Sequence, residues 1–246
     1  MELDYFKERR SCRNFKADKI DRGVLTQIID MASKSPTCGN MQLYSVIVTE
    51  DAGKLKEMAG YHFNQPAAAT APMILTICAD FHRFNEWCKI RNAKSGFNNF
   101  HSFIMAMTDA VIFSQQLVTV AEILGLGTCY LGTVNYNAKE IAEMLSLPDL
   151  VIPVAAVAIG YPEIQGEPTL RLPVDGIMHF ESYPELSPKD LEKIYSAEEN
   201  DSVNKKYIKE NGKENLAQLF AEVRYPGELN EQVSHSFYSL IKSQGF

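Results

Sequence analysis

The stretch FIMAMTDAVIFSQQLVTVAEILGLGTCYLGT, residues 103–133, organises the rest of the chain. Through residue 124 its apolar side chains (Ile104, Val111, Ile112, Leu117, Val118, Val120, Ala121, Leu124) recur nearly all round a helix of 3.6-residue period. A helix apolar on most faces belongs in a core or in a large subunit interface. Gly125-Leu126-Gly127 ends it, and Gly125 or Gly127 reads as the C-cap. This pair is no dinucleotide fingerprint, because it follows a helix rather than a strand and lacks the third glycine. Residues 129–131 then read as a short strand. Gly132 directly behind it allows a ligand to approach the backbone closely.

Outward from this helix, residues 44–49, 73–79 and 151–159 are β-branched or continuously apolar and read as buried strands. Residues 3–9, 22–33, 51–59 and 138–145 read as helices, the second with Val24, Ile28, Ile29, Met31 and Ala32 on its apolar face. Pro36 stops that second helix and opens a loop. Strands mixed with helices across short connections predict an α/β or α+β fold with a mixed rather than purely parallel sheet. After Pro162 the texture is polar and proline-bearing as far as Tyr183. The last sixty residues are charged and helical (188–195, 203–209, 216–223, 229–241). The expected organisation is a core of residues 1–183 and a helical extension of residues 184–246.

Composition excludes several classes. The 246 residues are 46% hydrophobic and 22% charged, ordinary for a globular chain. The net charge of -7 argues against a nucleic-acid or anionic-membrane binder. The continuous apolar runs at 73–79 and 151–160 fall short of the roughly 20 residues a bilayer span requires. Met-Glu-Leu-Asp at the start has no basic or apolar region of a secretory signal. Five cysteines (Cys12, Cys38, Cys78, Cys88, Cys129) with no C-x-x-C read as reduced thiols, so a cytoplasmic protein is expected.

The charge is uneven. Residues 1–20 hold six basic against four acidic groups, a +2 island in a chain whose remainder is -9. Within it stands Arg9-Arg10-Ser11-Cys12-Arg13. Three guanidiniums and a hydroxyl make an anion cradle, since arginine's planar fork matches phosphate or carboxylate; a solvated turn has the same composition. Ser35-Pro36-Thr37-Cys38-Gly39-Asn40-Met41-Gln42 crowds hydroxyls and amides around a glycine just before a strand. It suits the polar edge of a heterocycle or a plain turn-rich loop. Arg171 is a lone cation between prolines. The five histidines form no H-x-x-x-H or H-E-x-x-H, and neither a G-x-S-x-G elbow nor a Walker A sequence occurs. No metal site is expected. With no side-chain nucleophile evident, a cofactor is the expected carrier of any catalytic chemistry.

In order and spacing these segments resemble the nitroreductase family of flavoproteins, in the subgroup with an extended helical C-terminus. The carriers are R-R-S-C-R-N-F, S-P-T-C-G-N-M-Q, A-P-M-I-L-T-I-C-A-D-F, L-G-L-G-T-C-Y-L-G-T, A-I-G-Y-P, L-R-L-P and the terminal F-Y-S-L-I-K-S-Q-G-F. The resemblance implies an α+β sandwich, its central sheet mixed but mainly antiparallel, in an intertwined homodimer with FMN at the subunit interface. Arg9, Arg10, Ser11 and Arg13 match the family's N-terminal FMN motif, in which Arg13, together with Arg171, would hold the phosphate. Arg9 and Arg10 would lie nearer the ribityl chain and the N1–O2 edge, where a cation stabilises the reduced ring. Thr37, Cys38, Gly39, Asn40 and Gln42 match a loop that reaches the flavin from the partner subunit. Gln65 matches a glutamine beside the ring, and Leu131, Gly132 and Thr133 match the segment lining its N5 side.

Two positions depart from the pattern. Thr169 stands where relatives carry a second basic residue, and His235 where relatives carry an arginine near NADPH. Lys205, Lys206, Lys209 and Lys213 are the other basic groups of that region, so NADPH and NADH both remain open as co-substrate. The implied activity is hydride transfer from NAD(P)H through flavin N5 to planar acceptors (nitroaromatics, quinones or free flavin) by a ping-pong route. The alternative is an FMN-binding carrier or redox sensor with little turnover.

Overall fold

A computed structural model describes residues 3–164 and 166–246. Its first elements are α1 (Asp4–Glu8), β1 (Asn14–Phe15), α2 (Arg22–Ala32), β2 (Tyr44–Thr49), α3 (Ala52–Tyr61) and α4 (Pro66–Thr70). There follow β3 (Met73–Asp80), α5 (His82–Ile90), α6 (Phe100–Ile123), β4 (Gly127–Tyr130), α7 (Ala138–Met144), β5 (Val151–Gly160) and β6 (Pro162–Ile164). The C-terminal region adds α8 (Pro188–Asn200), α9 (Ser202–Glu210), the single turn α10 (Leu216–Gln218) and α11 (Gly227–Ser243). Contacts divide the chain into two units, residues 1–167 with 235–246, and residues 168–234. The expected division ran at 183/184.

In the first unit a four-stranded sheet has the order β2-β3-β5-β4, with every neighbouring pair antiparallel. The expected sheet was mixed; no parallel pair forms among the described residues. Alternation along the strands sends side chains to two cores. Met73, Leu75, Ile77, Val157 and Ile159 meet Leu25 and Ile28 of α2 and Phe113, Leu117 and Ala121 of α6. On the opposite face Ile74, Ala156 and Ala158 meet Met58 of α3, Ala67 and Ala68 of α4 and Ile141 of α7. Helices thus cover both sides, which is why β3 and β5 are apolar throughout rather than alternating. Each large buried side chain, such as wholly buried Phe113, contributes about 1.5–3 kcal/mol.

Helix α6 begins three residues earlier than expected, because Asn99 caps it by accepting from the Ser102 backbone N–H. By length and composition α6 would suffice to cross a membrane. Its residues Phe103, Ala106, Ala110, Phe113, Leu117, Val118 and Ala121 are instead buried in the protein core. It ends in a Schellman turn, with Gly125 N–H on Glu122 O and Leu126 N–H on Ala121 O, both at 3.0 Å. Gly125, at φ +85°, is therefore the cap. Gly127 instead opens β4, which spans Gly127–Tyr130 rather than the expected 129–131.

Beside the sheet, β1 pairs antiparallel with β6, placing Phe15 opposite Pro162. The Cys12 N–H donates to Thr128 O at 2.8 Å. The basic N-terminal segment is thereby stitched to β4 and to the chain leaving β5. In the second unit Ser187 and Asp190 form a capping box at the start of α8. Asp201 caps α9, and Ile208, Leu216 and Leu219 form a small core.

Candidate functional site

The arginine segment leaves α1 and runs past β4. Arg9 Nη2 meets Glu122 Oε1 at 3.4 Å, and both side chains are largely withdrawn from solvent. Glu122 also accepts from Tyr5 Oη at 2.7 Å and Thr128 Oγ1 at 2.5 Å. Burial and the neighbouring carboxylate push the Tyr5 hydroxyl up to about 12, so it stays protonated and donating. Arg9 Nε is buried and has no hydrogen-bond partner among the described residues. Among the described residues neither Arg10 nor Arg13 is paired with a carboxylate. A cavity of about 180 Å³ opens beside Arg9 and Arg10, bordered also by Tyr5, Gly127 and the carboxylates Glu8 and Glu122. Positive charge without an internal counter-ion is the property an anion cradle requires.

The arginine charges reach the next segment. Burial raises the Cys129 thiol, and the positive charges of Arg13 and Arg9 act against that rise. At the end of β4, Tyr130, Leu131 and Gly132, with Val111, Ser114 and Gln115 of α6, line an open cavity of about 370 Å³. Space beside Gly132 is empty to 4 Å from where a Cβ would stand. Asn135 also borders the cavity, and its Oδ1 is buried without a partner among the described residues. A slot with apolar walls and spare polar atoms at one side fits a planar heterocycle.

The loop of residues 37–42 is held in place from two sides. Asn40 and Gln42 adopt left-handed backbone (φ +57° and +47°), as does Gly39 (φ +56°). Strain of this kind costs of order 1 kcal/mol or more for a non-glycine residue and persists only where surroundings enforce it. Here the enforcing group is Asp109 of α6, 2% exposed, which accepts from the Cys38 N–H at 2.8 Å and the Leu43 N–H at 3.3 Å. Arg83 donates to the carbonyls of Gln42 and Tyr44, and Gln42 Nε2 donates to Asn40 O. Thr37 Oγ1 accepts from the Gln42 N–H at 3.4 Å. Thr37, Cys38, Gly39, Asn40 and Gln42 thus form one braced loop, with Cys38 exposed.

Gln65 and Thr133 are also brought together, Gln65 Nε2 lying 3.5 Å from Thr133 Oγ1. Arg171 belongs to the second unit, where its guanidinium is held by Thr169 and Leu170 of its own loop and borders a cavity of about 430 Å³. Ser11 stands half-buried within the cradle segment, between Arg10 and Cys12. The buried thiols of Cys12, Cys78 and Cys129 are raised by burial and make poor nucleophiles.

Sequence reasoning overlooked Asp109, Glu122, Arg83 and His62. A signal existed for the first two. Asp109 and Glu122 are the only charged side chains among the 24 residues of α6, and a carboxylate in an apolar helix needs partners.

Residues 6–161 match the family model described as Nitroreductase family. The chain is 27% identical over 231 residues to a Cr(VI) reductase of Pseudomonas sp. (strain G-1), covering 92% of this chain and 94% of that protein. It is 30% identical over 239 residues to an FMN reductase (NAD(P)H) of Bacillus subtilis (strain 168), covering 89% and 90%. A crystal structure of a Bacteroides fragilis NCTC 9343 protein superposes with a TM-score of 0.97, at 41% identity and 99% coverage of both chains. With this fold, the braced loop and the arginine cradle in one unit, the chain belongs to the nitroreductase family.

Proposed function

We propose that this chain, an NAD(P)H-dependent FMN oxidoreductase, carries hydride from NAD(P)H to planar acceptors such as nitroaromatics, quinones or free flavin in two half-reactions that share one slot. FMN, when bound, supplies the two-electron chemistry. The observation that carries the reading is Arg10, which has no carboxylate partner among the described residues and borders a cavity together with Gly127 of β4, the strand that leads to an open slot. The Bacillus subtilis FMN reductase and the Cr(VI) reductase give it support by their names.

In this reading Arg13, with Arg171 added on sequence resemblance, would hold the phosphate, Arg10 would lie nearer the ribityl chain, and Ser11 belongs to the same FMN-binding segment. Arg9, kept in place by Glu122, supplies positive charge toward the electron-rich edge of the reduced ring. Leu131 and Gly132 would line the flavin ring's N5 side, where the open space beside Gly132 leaves room for close approach. Gln65 and Thr133 contribute polar groups at its edge. Thr37, Cys38, Gly39, Asn40 and Gln42 form a rigid loop that reaches a ring in the partner subunit. An intertwined homodimer is supported by the outer face of α6, where Ile104, Val111, Ile112 and Ile123 are exposed. Reduced thiols fit a cytoplasmic setting.

The decisive experiment is anaerobic mixing of the FMN-loaded protein with NADPH or NADH, followed by a planar acceptor. Bleaching of the flavin spectrum by either nucleotide, and its return with acceptor, is the expected result. A flavin that neither nucleotide reduces would leave a carrier or sensor in place of the enzyme.

A further inference from the structure

His62 caps the C-terminal end of α3 and is wholly buried, yet among the described residues only one of its ring nitrogens has a partner. Nδ1 lies 2.9 Å from Thr133 Oγ1, whereas Nε2 is enclosed with nothing to bond. Gln65 Nε2 approaches the same hydroxyl oxygen at 3.5 Å. Between His62 and Gln65 the chain makes a tight turn through Phe63 and Asn64, both left-handed at φ +56° and +51°. Asn137 ties this turn to the segment after Thr133 by donating to Tyr61 O at 2.6 Å. Two consecutive non-glycine residues in that backbone region are costly, and the geometry they enforce is the meeting of His62, Gln65 and Thr133.

The unpartnered nitrogen decides the tautomer. A buried N–H without an acceptor is rarer and costlier than a buried lone pair without a donor. The ring proton therefore belongs on Nδ1, and Nε2 carries the bare lone pair. Thr133 Oγ1 then accepts from His62 and from Gln65, which occupies both of its lone pairs. Its own proton has no acceptor among the described residues.

We propose that His62 is a positioning residue for the flavin site: by donating from Nδ1 to Thr133 it leaves the Thr133 hydroxyl with a proton to give to the bound flavin. The inference rests on the reading of this site as the FMN pocket. A hydrogen bond donated to a ring acceptor strengthens as electrons enter the ring, so it favours the reduced state.

The test is the two-electron reduction equilibrium of the FMN-loaded protein, followed spectroscopically against a reference dye without oxygen. Thr133→Val and His62→Leu are each expected to shift that equilibrium about tenfold toward the oxidised flavin, the scale of one hydrogen bond to a charged group. The double variant is expected to shift no further than either single one, because the two act through one proton. Thr133→Ser, which keeps the hydroxyl, and His62→Asn, whose Nδ2 can donate where Nδ1 did, are expected to stay near the unsubstituted protein. An unmoved equilibrium in Thr133→Val, or shifts that simply add in the double variant, would overturn the proposal. Should His62→Leu not fold, the contrast of Thr133→Val with Thr133→Ser and the behaviour of His62→Asn still decide it. Failure of the unsubstituted protein to take up FMN would instead refute the flavin reading itself.

Discussion

The Cys38 backbone N–H donates to Asp109 Oδ1 at 2.8 Å, joining two residues 71 positions apart. Through this bond a helix in the core of the first unit dictates the shape of a loop at its surface. The same carboxylate takes the Leu43 N–H, so one buried side chain fixes both ends of the strained segment.

Asp109→Ala should therefore cost more than a single hydrogen bond. It strands two backbone donors, one in a wholly buried residue, and removes what holds Asn40 and Gln42 in left-handed backbone. A loss of about 2–4 kcal/mol in unfolding free energy is expected. FMN affinity should fall as well, because the loop loses its shape. Chemical denaturation and flavin titration measure the two effects, and an unchanged stability would remove Asp109 from its bracing role.

Arg13→Ala should weaken FMN binding by about 1.5–3 kcal/mol, the worth of a hydrogen bond to a charged group. In dissociation constant that is roughly a tenfold to hundredfold loss. Arg22→Ala is the matched control, since Arg22 is exposed and pairs with Glu50 through its own surface bridge. Flavin fluorescence quenching should separate the two variants clearly; equal affinities would show that the cradle lies elsewhere.

How legible this was depended on whether the cause was local. Residues 44–49 read as a strand with the bounds that the structure shows, because β-branched composition is a local cause. The two-residue strand β1 was invisible, since its existence depends on pairing with β6 far along the chain. Helix α4 has only five residues, and α5 is polar overall and buries only Cys88, so neither stands out in the sequence. Arg9 could be read as one of a cationic group, but not as the partner of Glu122, 113 residues away. For the same reason the apolar character of α6 was evident while the task of its two carboxylates was not.

Gly127→Ala tests how the cradle is fastened to the sheet. A Cβ there would stand 2.6 Å from Cys12 Cβ and 2.8 Å from Cys12 Sγ, so the arginine segment would have to move off β4. Overpacking of this sort costs about 1–3 kcal/mol. A melting temperature lowered by several degrees, with weaker FMN binding, is expected. The Cys12→Gly background should relieve most of the clash. Equal penalties in both backgrounds would mean that Cys12 is not the obstacle.

Tyr5 predicts a change at the alkaline end. Its folded value, about 12, lies above the usual 10 through burial and Glu122. Folding therefore favours the protonated phenol. The associated stability is complete below pH 10 and is lost as pH rises from 10 toward 12. The group is partly solvent-exposed, so the effect is modest. Tyr5→Phe should flatten this limb of the stability profile, and a profile unchanged from the unsubstituted protein would place the Tyr5–Glu122 bond outside the folding equilibrium.

His62 predicts the opposite limb. Burial lowers its folded value to about 4, against about 6.5 in an unfolded chain. Unfolding then takes up a proton wherever pH lies between those values. The neutral ring's contribution is thus intact above pH 6.5, declines as pH falls from 6.5 to about 4, and changes no further below that. Over the whole window the decline amounts to up to about 3 kcal/mol. His62→Asn has no group to titrate there, so its unfolding free energy should fall less steeply than the parent's between pH 6.5 and 4. Parallel profiles would mean that folding leaves the proton affinity of His62 unchanged and would overturn the burial effect.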